Sequence, residues 1–282
     1  MNLVNEGDPL PSFACMVGST SESRSLRVGL LHLAAEPGAV ERNRALIEKA
    51  TTMAADMGAA WVISGELVVS GYHFDPLVGT DWIASQPDPW MRRFAELTSS
   101  LGVVSIISHP ERDNGSGKLF NTLFIIGREG HVLGRHQKLH PTPCAEDWSS
   151  PGKPGDPVLV DGIRVGLLIC ADAYPPGPAL RLRELGAELL ISAAAWWPGD
   201  YGPNGEWEAR TLDTGLPMIV CNRTGVDGDS QLIDAESVVI DNGRRLTTLR
   251  SPDSAVFVID CQISGGSIID CGVVDTAYLF SN

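Results

Sequence analysis

Three residues of this 282-residue chain combine a reactive side chain with a position at the end of a regular segment. Glu66 follows the largely apolar run 61–65, Cys170 follows the apolar run 165–169, and Lys138 comes after a predicted hairpin. Ligands of α/β proteins bind at the carboxyl edge of the sheet, so residues at strand ends can face a bound molecule. A thiol, a carboxylate and an ammonium held together there would supply a nucleophile, a base and a cation that stabilises an oxyanion.

Each of the three residues also has an interpretation without chemistry. Cys170 is also consistent with a core cysteine, because free cysteine is among the most buried residue types. Glu66 is also consistent with a solvated charge at a strand end, and Lys138 with a solvated residue of a basic loop. The residues taken one at a time therefore leave both interpretations open.

The elements that must position these side chains alternate between strands and helices. Apolar spacings of three, four and seven predict helices over 40–57 and 90–101. The Pro- and Gly-rich stretch 135–160 is long enough to predict a functional loop. The pattern favours one α/β domain, with further strands at 26–33, 61–64, 103–107, 164–170, 189–194 and 217–221, helices at 178–185 and 206–214, a hairpin over 123–134, and a closing hairpin that joins 237–241 to 255–260.

Composition excludes several classes of protein. Lys and Arg total 21 and Asp and Glu total 35, so the formal charge is −14; this acidic balance predicts no nucleic-acid partner and no anionic membrane partner. No apolar run approaches the roughly 20 residues of a membrane span. The six cysteines form no C-x-x-C pair, and the six histidines show no metal-binding spacing. We therefore expect mostly free thiols, no metal or other cofactor, and a cytoplasmic protein without a secretion signal.

Several segments, in the same order along the chain, resemble motifs of the carbon–nitrogen hydrolase (nitrilase) superfamily over residues 26–260. The family patterns are P-E-x-x-x-x-G-Y, Y-N-S/T, a Lys motif, G-x-x-I-C-x-D and W…R…N-R-x-G. The matching segments here are Gly65-Glu66-Leu67 with Ser70-Gly71-Tyr72, Phe120-Asn121-Thr122, Gly134 to Pro141, Gly166 to Asp172, Ala193 to Trp196, and Trp207 and Arg210 with Cys221 to Gly225.

The resemblance implies an α/β fold built as a four-layer α-β-β-α sandwich, and a triad of Glu66, Lys138 and Cys170. In that triad the Cys170 thiolate attacks, and a neighbouring cation is expected to lower the pKa of the thiol. Glu66 is expected to act as the base, with Lys138 and the amide that follows Cys170 as oxyanion donors. The product would be a thioester and then a carboxylic acid, with release of ammonia or an amine.

The resemblance also suggests supporting residues. The family has an additional Glu in the loop after the Lys motif, and Glu146 matches its position, with Asp147 one residue away. Tyr72, Ala171 and Trp196 are candidate substrate-binding residues, although Trp196 is equally consistent with the core. The domain is expected over 26–261, with a tail at 1–25. The extension 262–282 is expected either at a homodimer or higher homo-oligomer contact or covering its own subunit, because apolar residues on an acidic chain need a covering surface.

Departures from the family patterns leave the substrate open between an amide, a nitrile and an N-carbamoyl compound. Gly65 replaces the usual Pro, and Ala171-Asp172 keeps the acid of many amidases but loses the aromatic residue. The segment 136–142 instead resembles the nitrilase branch. A carboxamide hydrolase is the first hypothesis; a catalytically inactive binding module and a redox-sensing protein that uses Cys170 are the alternatives.

Overall fold

The computed structural model describes residues 23–279. Most of the tail predicted at 1–25, with Cys15, lies outside this range. The helices are α1 (Val40–Asp56), α2 (Asp75–Val78), α3 (Pro89–Leu101), α4 (Gly177–Glu184) and α5 (Glu206–Thr214). The strands are β1 (Arg24–His32), β2 (Trp61–Ser64), β3 (Val104–Arg112), β4 (Leu119–Ile126), β5 (Val132–Gln137), β6 (Val158–Val160), β7 (Ile163–Ile169), β8 (Leu189–Ala194), β9 (Met218–Asn222), β10 (Val226–Asp227), β11 (Ser230–Gln231), β12 (Ser237–Asp241), β13 (Arg244–Leu249), β14 (Ala255–Ser264) and β15 (Ser267–Tyr278).

Two sheets face each other between two layers of helices. The first sheet has the order β15-β14-β1-β2-β3-β4-β5, and the second has the order β13-β12-β9-β8-β7-β6. Parallel pairs occupy the middle of both sheets, at β1-β2-β3 and at β7-β8-β9. The predicted four-layer α-β-β-α sandwich is confirmed.

Helices α1 and α3 cover the outer face of the first sheet. The buried side of α1 includes Ile47, Ala50 and Ala54, which recur at the predicted helical spacing. A Cβ atom on Gly29 of β1 would lie 2.7 Å from the Cβ of Ala54, so glycine at this position allows α1 to approach the sheet closely. Asp88 caps the start of α3 by accepting a hydrogen bond of 2.7 Å from the Met91 amide.

The main core lies between the sheets and under α4 and α5. It contains alternate residues of the first sheet, such as Val28 and Leu30, together with Val165 and Leu167 of the second. Because the strands of the second sheet are covered on both faces, β8 and β9 are buried at every position. Their sequences are accordingly mostly apolar, with only Ser192 and Asn222 polar, rather than alternating.

The closing hairpin predicted from 237–241 and 255–260 is wrong, although both segments are strands. β12 pairs with β13 in the second sheet, whereas β14 pairs with β1 in the first. The turn between β12 and β13 is Asn242-Gly243, with φ angles of 49° and 75°. Asn-Gly is a strong signal for a two-residue hairpin turn, so the sequence contained the correct partner of β12.

Residues 262–279 complete the first sheet. β14 continues through Ser264, and β15 returns along it as the edge strand. This strand exposes the apolar side chains of Ile269, Val273, Val274 and Tyr278. Among residues 23–279, no helix is both long and apolar enough to cross a membrane.

Candidate active site

The carboxyl ends of strands from both sheets meet at one edge of the sandwich. Glu66 follows β2, and its amide donates to the Ala194 carbonyl at the end of β8 at 3.1 Å. The Ala195 amide donates back to Glu66 Oε2 at 3.1 Å. Gly65 fits this junction, because a Cβ atom there would lie 2.6 Å from Cγ of Arg223. A residue with a Cβ atom at position 65 would therefore require Arg223 to shift.

Lys138 lies between two carboxylates. Its Nζ donates to Glu66 Oε1 at 2.7 Å and also to Glu146 Oε2. Asn121 of β4 bridges the same carboxylates from another side, with Nδ2 at 2.8 Å from Glu66 and 2.7 Å from Glu146. All three charged side chains are fully or almost fully buried, so each depends on these partners for its hydrogen bonds.

Glu146 is fixed on its loop by two further donors. The Tyr72 hydroxyl donates to Glu146 Oε2 at 2.9 Å, and the Thr142 amide donates to the same oxygen at 2.9 Å. The structure therefore brings Glu146, rather than its neighbour Asp147, to Lys138. Asp147 is exposed and accepts a hydrogen bond from the Cys144 amide instead.

Cys170 begins a single turn of 3-10 helix immediately after β7. Its φ angle is +45°, in the left-handed region that residues with a Cβ atom seldom adopt. Such backbone strain persists only where the surrounding structure imposes it, and it clusters at active sites. Cys170 as a whole residue is 6% exposed, so access to its thiol is narrow.

The pKa of the Cys170 thiol is raised well above its usual value. Burial is the main cause, and the negative charge of Glu66 adds to it. Lys138 and the Ala195 amide act in the opposite direction but are outweighed. The expectation that a neighbouring cation would lower this pKa is therefore wrong in its net effect, and the resting thiol needs a base to remove its proton.

The two carboxylates differ in the direction of their pKa shifts. Burial raises the pKa of Glu66 despite the attraction of Lys138. Burial also acts to raise the pKa of Glu146, but Lys138 and the amide of Thr142 outweigh it, so the net shift is downward. Burial opposes the charge on Lys138, yet Glu146 and Glu66 together raise its pKa well above the usual value. Glu66 is thus the carboxylate better suited to accept a proton.

Asp172 connects the Cys170 turn to the Lys138 segment, a function that sequence reasoning missed. Its Oδ2 accepts from the Ile169 amide at 3.1 Å and lies 2.8 Å from His136 Nε2. Its Oδ1 accepts from the amides of Leu139 and His140 at 2.9 and 3.0 Å, and lies 3.1 Å from His140 Nδ1. One buried carboxylate therefore holds the residue before Cys170 and the residue after Lys138. The sequence signal for Asp172 was its match to the final Asp of the G-x-x-I-C-x-D pattern over 166–172.

Aromatic side chains form a layer beside the Cys170 turn. Trp196 contacts the rings of Tyr174 and Trp207 at centroid distances of 4.7 and 5.2 Å. Asn222 fixes the Trp196 backbone, accepting from its amide at 3.0 Å and donating to its carbonyl at 2.6 Å. Trp196 belongs to the same buried cluster as Cys170.

The structure brings Glu66, Lys138, Glu146 and Tyr72 into one hydrogen-bonded group, with Cys170 and Ala171 on the adjoining turn. No group of three or more His, Cys, Asp or Glu side chains within residues 23–279 is arranged to hold a metal ion. The groups present can transfer protons, attack an electrophilic carbon and stabilise a negative oxygen.

Comparison with known proteins extends these observations. A family model described as carbon–nitrogen hydrolase matches residues 27–264. The hydrolase of the pqqF 5' region of Pseudomonas protegens is 26% identical over 264 residues, which cover 91% of each chain. An (R)-stereoselective amidase of a Pseudomonas species is 29% identical over 152 residues, 52% of this chain and 54% of that protein.

Solved structures show the same fold. Saccharomyces cerevisiae Nit3, a member of branch 10 of the nitrilase superfamily, superimposes with a TM-score of 0.76 at 19% identity. The match covers 86% of this chain and 92% of that one. Together with the family model, which spans most of the sequence, these findings show that the chain belongs to the carbon–nitrogen hydrolase family.

Proposed function

We propose that this protein hydrolyses the C–N bond of a small carboxamide through a thioester on Cys170. The observation that carries the proposal is the buried group in which Lys138 bonds to both Glu66 and Glu146 next to the strained turn of Cys170. A lysine held in this way presents a compact positive charge that stays protonated. The cysteine beside it is kept as a thiol until a base acts.

In the first half of the reaction, Glu66 accepts the Cys170 proton as the sulfur attacks the carbonyl carbon. The carbonyl electron pair moves to oxygen, and the Lys138 ammonium and the Ala171 amide stabilise that oxyanion. When the tetrahedral intermediate collapses, protonated Glu66 gives its proton to the departing nitrogen. Ammonia or an amine leaves, and the acyl group remains on sulfur.

In the second half, Glu66 removes a proton from water, which attacks the thioester. Collapse of this intermediate returns the proton to sulfur and releases the carboxylic acid. Glu146 takes no proton in this scheme. It holds Lys138, and Tyr72 and Thr142 hold it in turn.

Two observations favour a small amide as substrate. Cys170 is 6% exposed and the triad partners are fully buried, so the acyl group must fit a confined space beside Trp196. Among the relatives, the (R)-stereoselective amidase and a formamidase of Bacillus cereus act on amides, as their names state, although the alignments span about half of each protein or less. We propose Ala171, Tyr72 and Trp196 as the residues that line this space.

Mass spectrometry of the intact protein, after brief incubation with amides, nitriles and N-carbamoyl compounds, tests the proposal. We expect an acyl adduct with small amides that maps to Cys170 and is absent in Cys170→Ala. Cys221→Ala is the matched control, because Cys221 is a buried cysteine of β9 in the core between the sheets, and it should keep the adduct.

Other results would change the conclusion. Retained hydrolysis by a folded Cys170→Ala protein would contradict the mechanism. Adducts with nitriles or N-carbamoyl compounds alone would replace the amide as substrate. Absence of both adduct and hydrolysis with every compound would favour the inactive binding module.

A further inference from the structure

Two cysteines outside the active site face each other across neighbouring strands. Cys261 of β14 and Cys271 of β15 are direct partners in the antiparallel register. Both side chains lie in the core between the sheets, with exposures of 0% and 7%. Both are free thiols. Side chains of directly paired residues project from the same face of a sheet, so these sulfurs are neighbours.

The register satisfies the distance requirement of a disulfide. Directly opposed residues of an antiparallel pair have Cα atoms about 4.5 or 5.5 Å apart, and disulfides join Cα atoms about 4.4–6.8 Å apart. The thiols interact with each other as donor and acceptor, which lowers the pKa of Cys271 and raises that of Cys261. Cys271 is also the more exposed of the two, so it is the one that a small oxidant reaches.

We propose that Cys261 and Cys271 form an oxidation site at which hydrogen peroxide closes a cross-strand disulfide. The Cys271 sulfur attacks one peroxide oxygen, the O–O bond breaks, and water leaves as Cys271 becomes a sulfenic acid. The Cys261 sulfur then attacks the Cys271 sulfur, the S–O bond breaks, and a second water leaves. The two thiols lose two protons and two electrons in total, and one peroxide is reduced to two waters.

The disulfide would attach the edge strand of the first sheet covalently. β15 is the edge strand of the first sheet, and β14 is its neighbour in that sheet. The Thr247 hydroxyl of β13, in the second sheet, donates to the Cys271 carbonyl at 2.7 Å. A bond at Cys271 therefore secures the point where β15 meets the second sheet. This site is separate from Cys170, so it does not depend on the proposed amide chemistry.

The test is peptide mapping of the full chain after treatment with hydrogen peroxide, alkylation of remaining thiols and digestion without reductant. The protease is one that cleaves before aspartate, because Asp270 then separates Cys261 and Cys271 into different peptides. We expect a linked pair of peptides containing Cys261 and Cys271, lighter than the two reduced peptides by two hydrogen atoms and separated by dithiothreitol. Cys271→Ser and Cys261→Ser should each abolish the linkage. Cys221→Ser is the matched control and should retain it.

The wild-type measurement decides the question even if a serine variant fails to fold. Alkylation of both Cys261 and Cys271 after peroxide treatment and denaturation would overturn the proposal. A disulfide that joins either residue to Cys144, Cys170 or Cys221 instead would also overturn it.

Discussion

Replacement of Asp172 by asparagine removes one charge and leaves the size of the side chain almost unchanged. The native carboxylate accepts hydrogen bonds from the amides of Ile169, Leu139 and His140. An asparagine side chain has one accepting oxygen and an NH2 group that only donates. The single asparagine oxygen can accept either from the Ile169 amide or from the Leu139 and His140 amides. At least one of the three amides therefore loses its acceptor.

The expected loss of stability follows from the number of amides that lose their acceptor. The asparagine oxygen is expected to keep the Leu139 and His140 amides, which leaves the Ile169 amide facing the NH2 group. An unsatisfied buried donor costs about 1–3 kcal/mol, so we expect Asp172→Asn to lower the free energy of unfolding by that amount. Displacement of a catalytic group by about 1 Å can cost roughly 100-fold in rate. Since the loosened Ile169 amide directly precedes Cys170, we expect kcat to fall about 10- to 100-fold.

Three measurements on one preparation separate positioning from folding. Urea denaturation gives the loss of stability, steady-state kinetics with a small amide gives kcat and KM, and the rate of iodoacetamide labelling at Cys170 reports the turn itself. Asp156→Asn is the matched control, because Asp156 forms an exposed ion pair with Arg181 at 3.1 Å. Exposed pairs contribute about 1 kcal/mol or less, so this variant should keep kcat near that of the wild type.

The reasoning would be refuted by a folded Asp172→Asn protein with unchanged kcat and an unchanged labelling rate at Cys170. A loss of stability with normal kcat would show that Asp172 contributes to folding only.

The remaining predictions concern the buried charges and the assembly. Glu66→Gln should block thioester formation in rapid-quench experiments, because Gln cannot accept the thiol proton; normal acylation would contradict the assignment of the base. Since Glu66 must be ionised to accept a proton, kcat/KM should fall as the pH drops through its raised pKa. The negative charge of Glu146 helps to raise that pKa. Glu146→Gln should therefore retain slow turnover and move the acid limb of the pH profile to lower pH. Lys138→Ala should lose activity and Lys138→Arg should not restore it, because a planar guanidinium cannot replace a compact ammonium in a closed site; near-normal kcat in Lys138→Ala would exclude the oxyanion function. Light scattering at micromolar concentration should give a mass above the 30.1 kDa of one chain, since β15 exposes apolar side chains; a 30.1 kDa particle would reject the expected homo-oligomer.

The sequence determined most of the local structure. The spacing of apolar residues located α1, and the largely apolar runs located β2 and β8, because burial on both faces of a strand favours apolar side chains at successive positions. The order of short motifs was enough to predict Glu66, Lys138 and Cys170 as candidate catalytic residues. Lys138 and Cys170 directly follow β5 and β7, and Glu66 lies two residues after β2, so their placement depends on neighbours in the chain.

Sequence patterns were insufficient wherever partners are distant in the chain. The pairing of β14 with β1, rather than with β12, joins residues more than 220 positions apart, and periodicity carries no information about which strand is the partner. The function of Asp172 in connecting two loops was hidden for the same reason, since its hydrogen-bond partners at 139 and 140 lie more than 30 residues away.

Tertiary structure also decided the electrostatics. The sequence contained a thiol and a nearby cation, from which a lowered pKa for Cys170 was expected. The folded chain buries the thiol beside Glu66, and the desolvation of the charged form outweighs the attraction of Lys138. The balance between burial and charge depends on distances in three dimensions. The residue types therefore come from the sequence, whereas the opposite pKa shifts of Glu66 and Glu146 arise only when the two sheets meet at this edge.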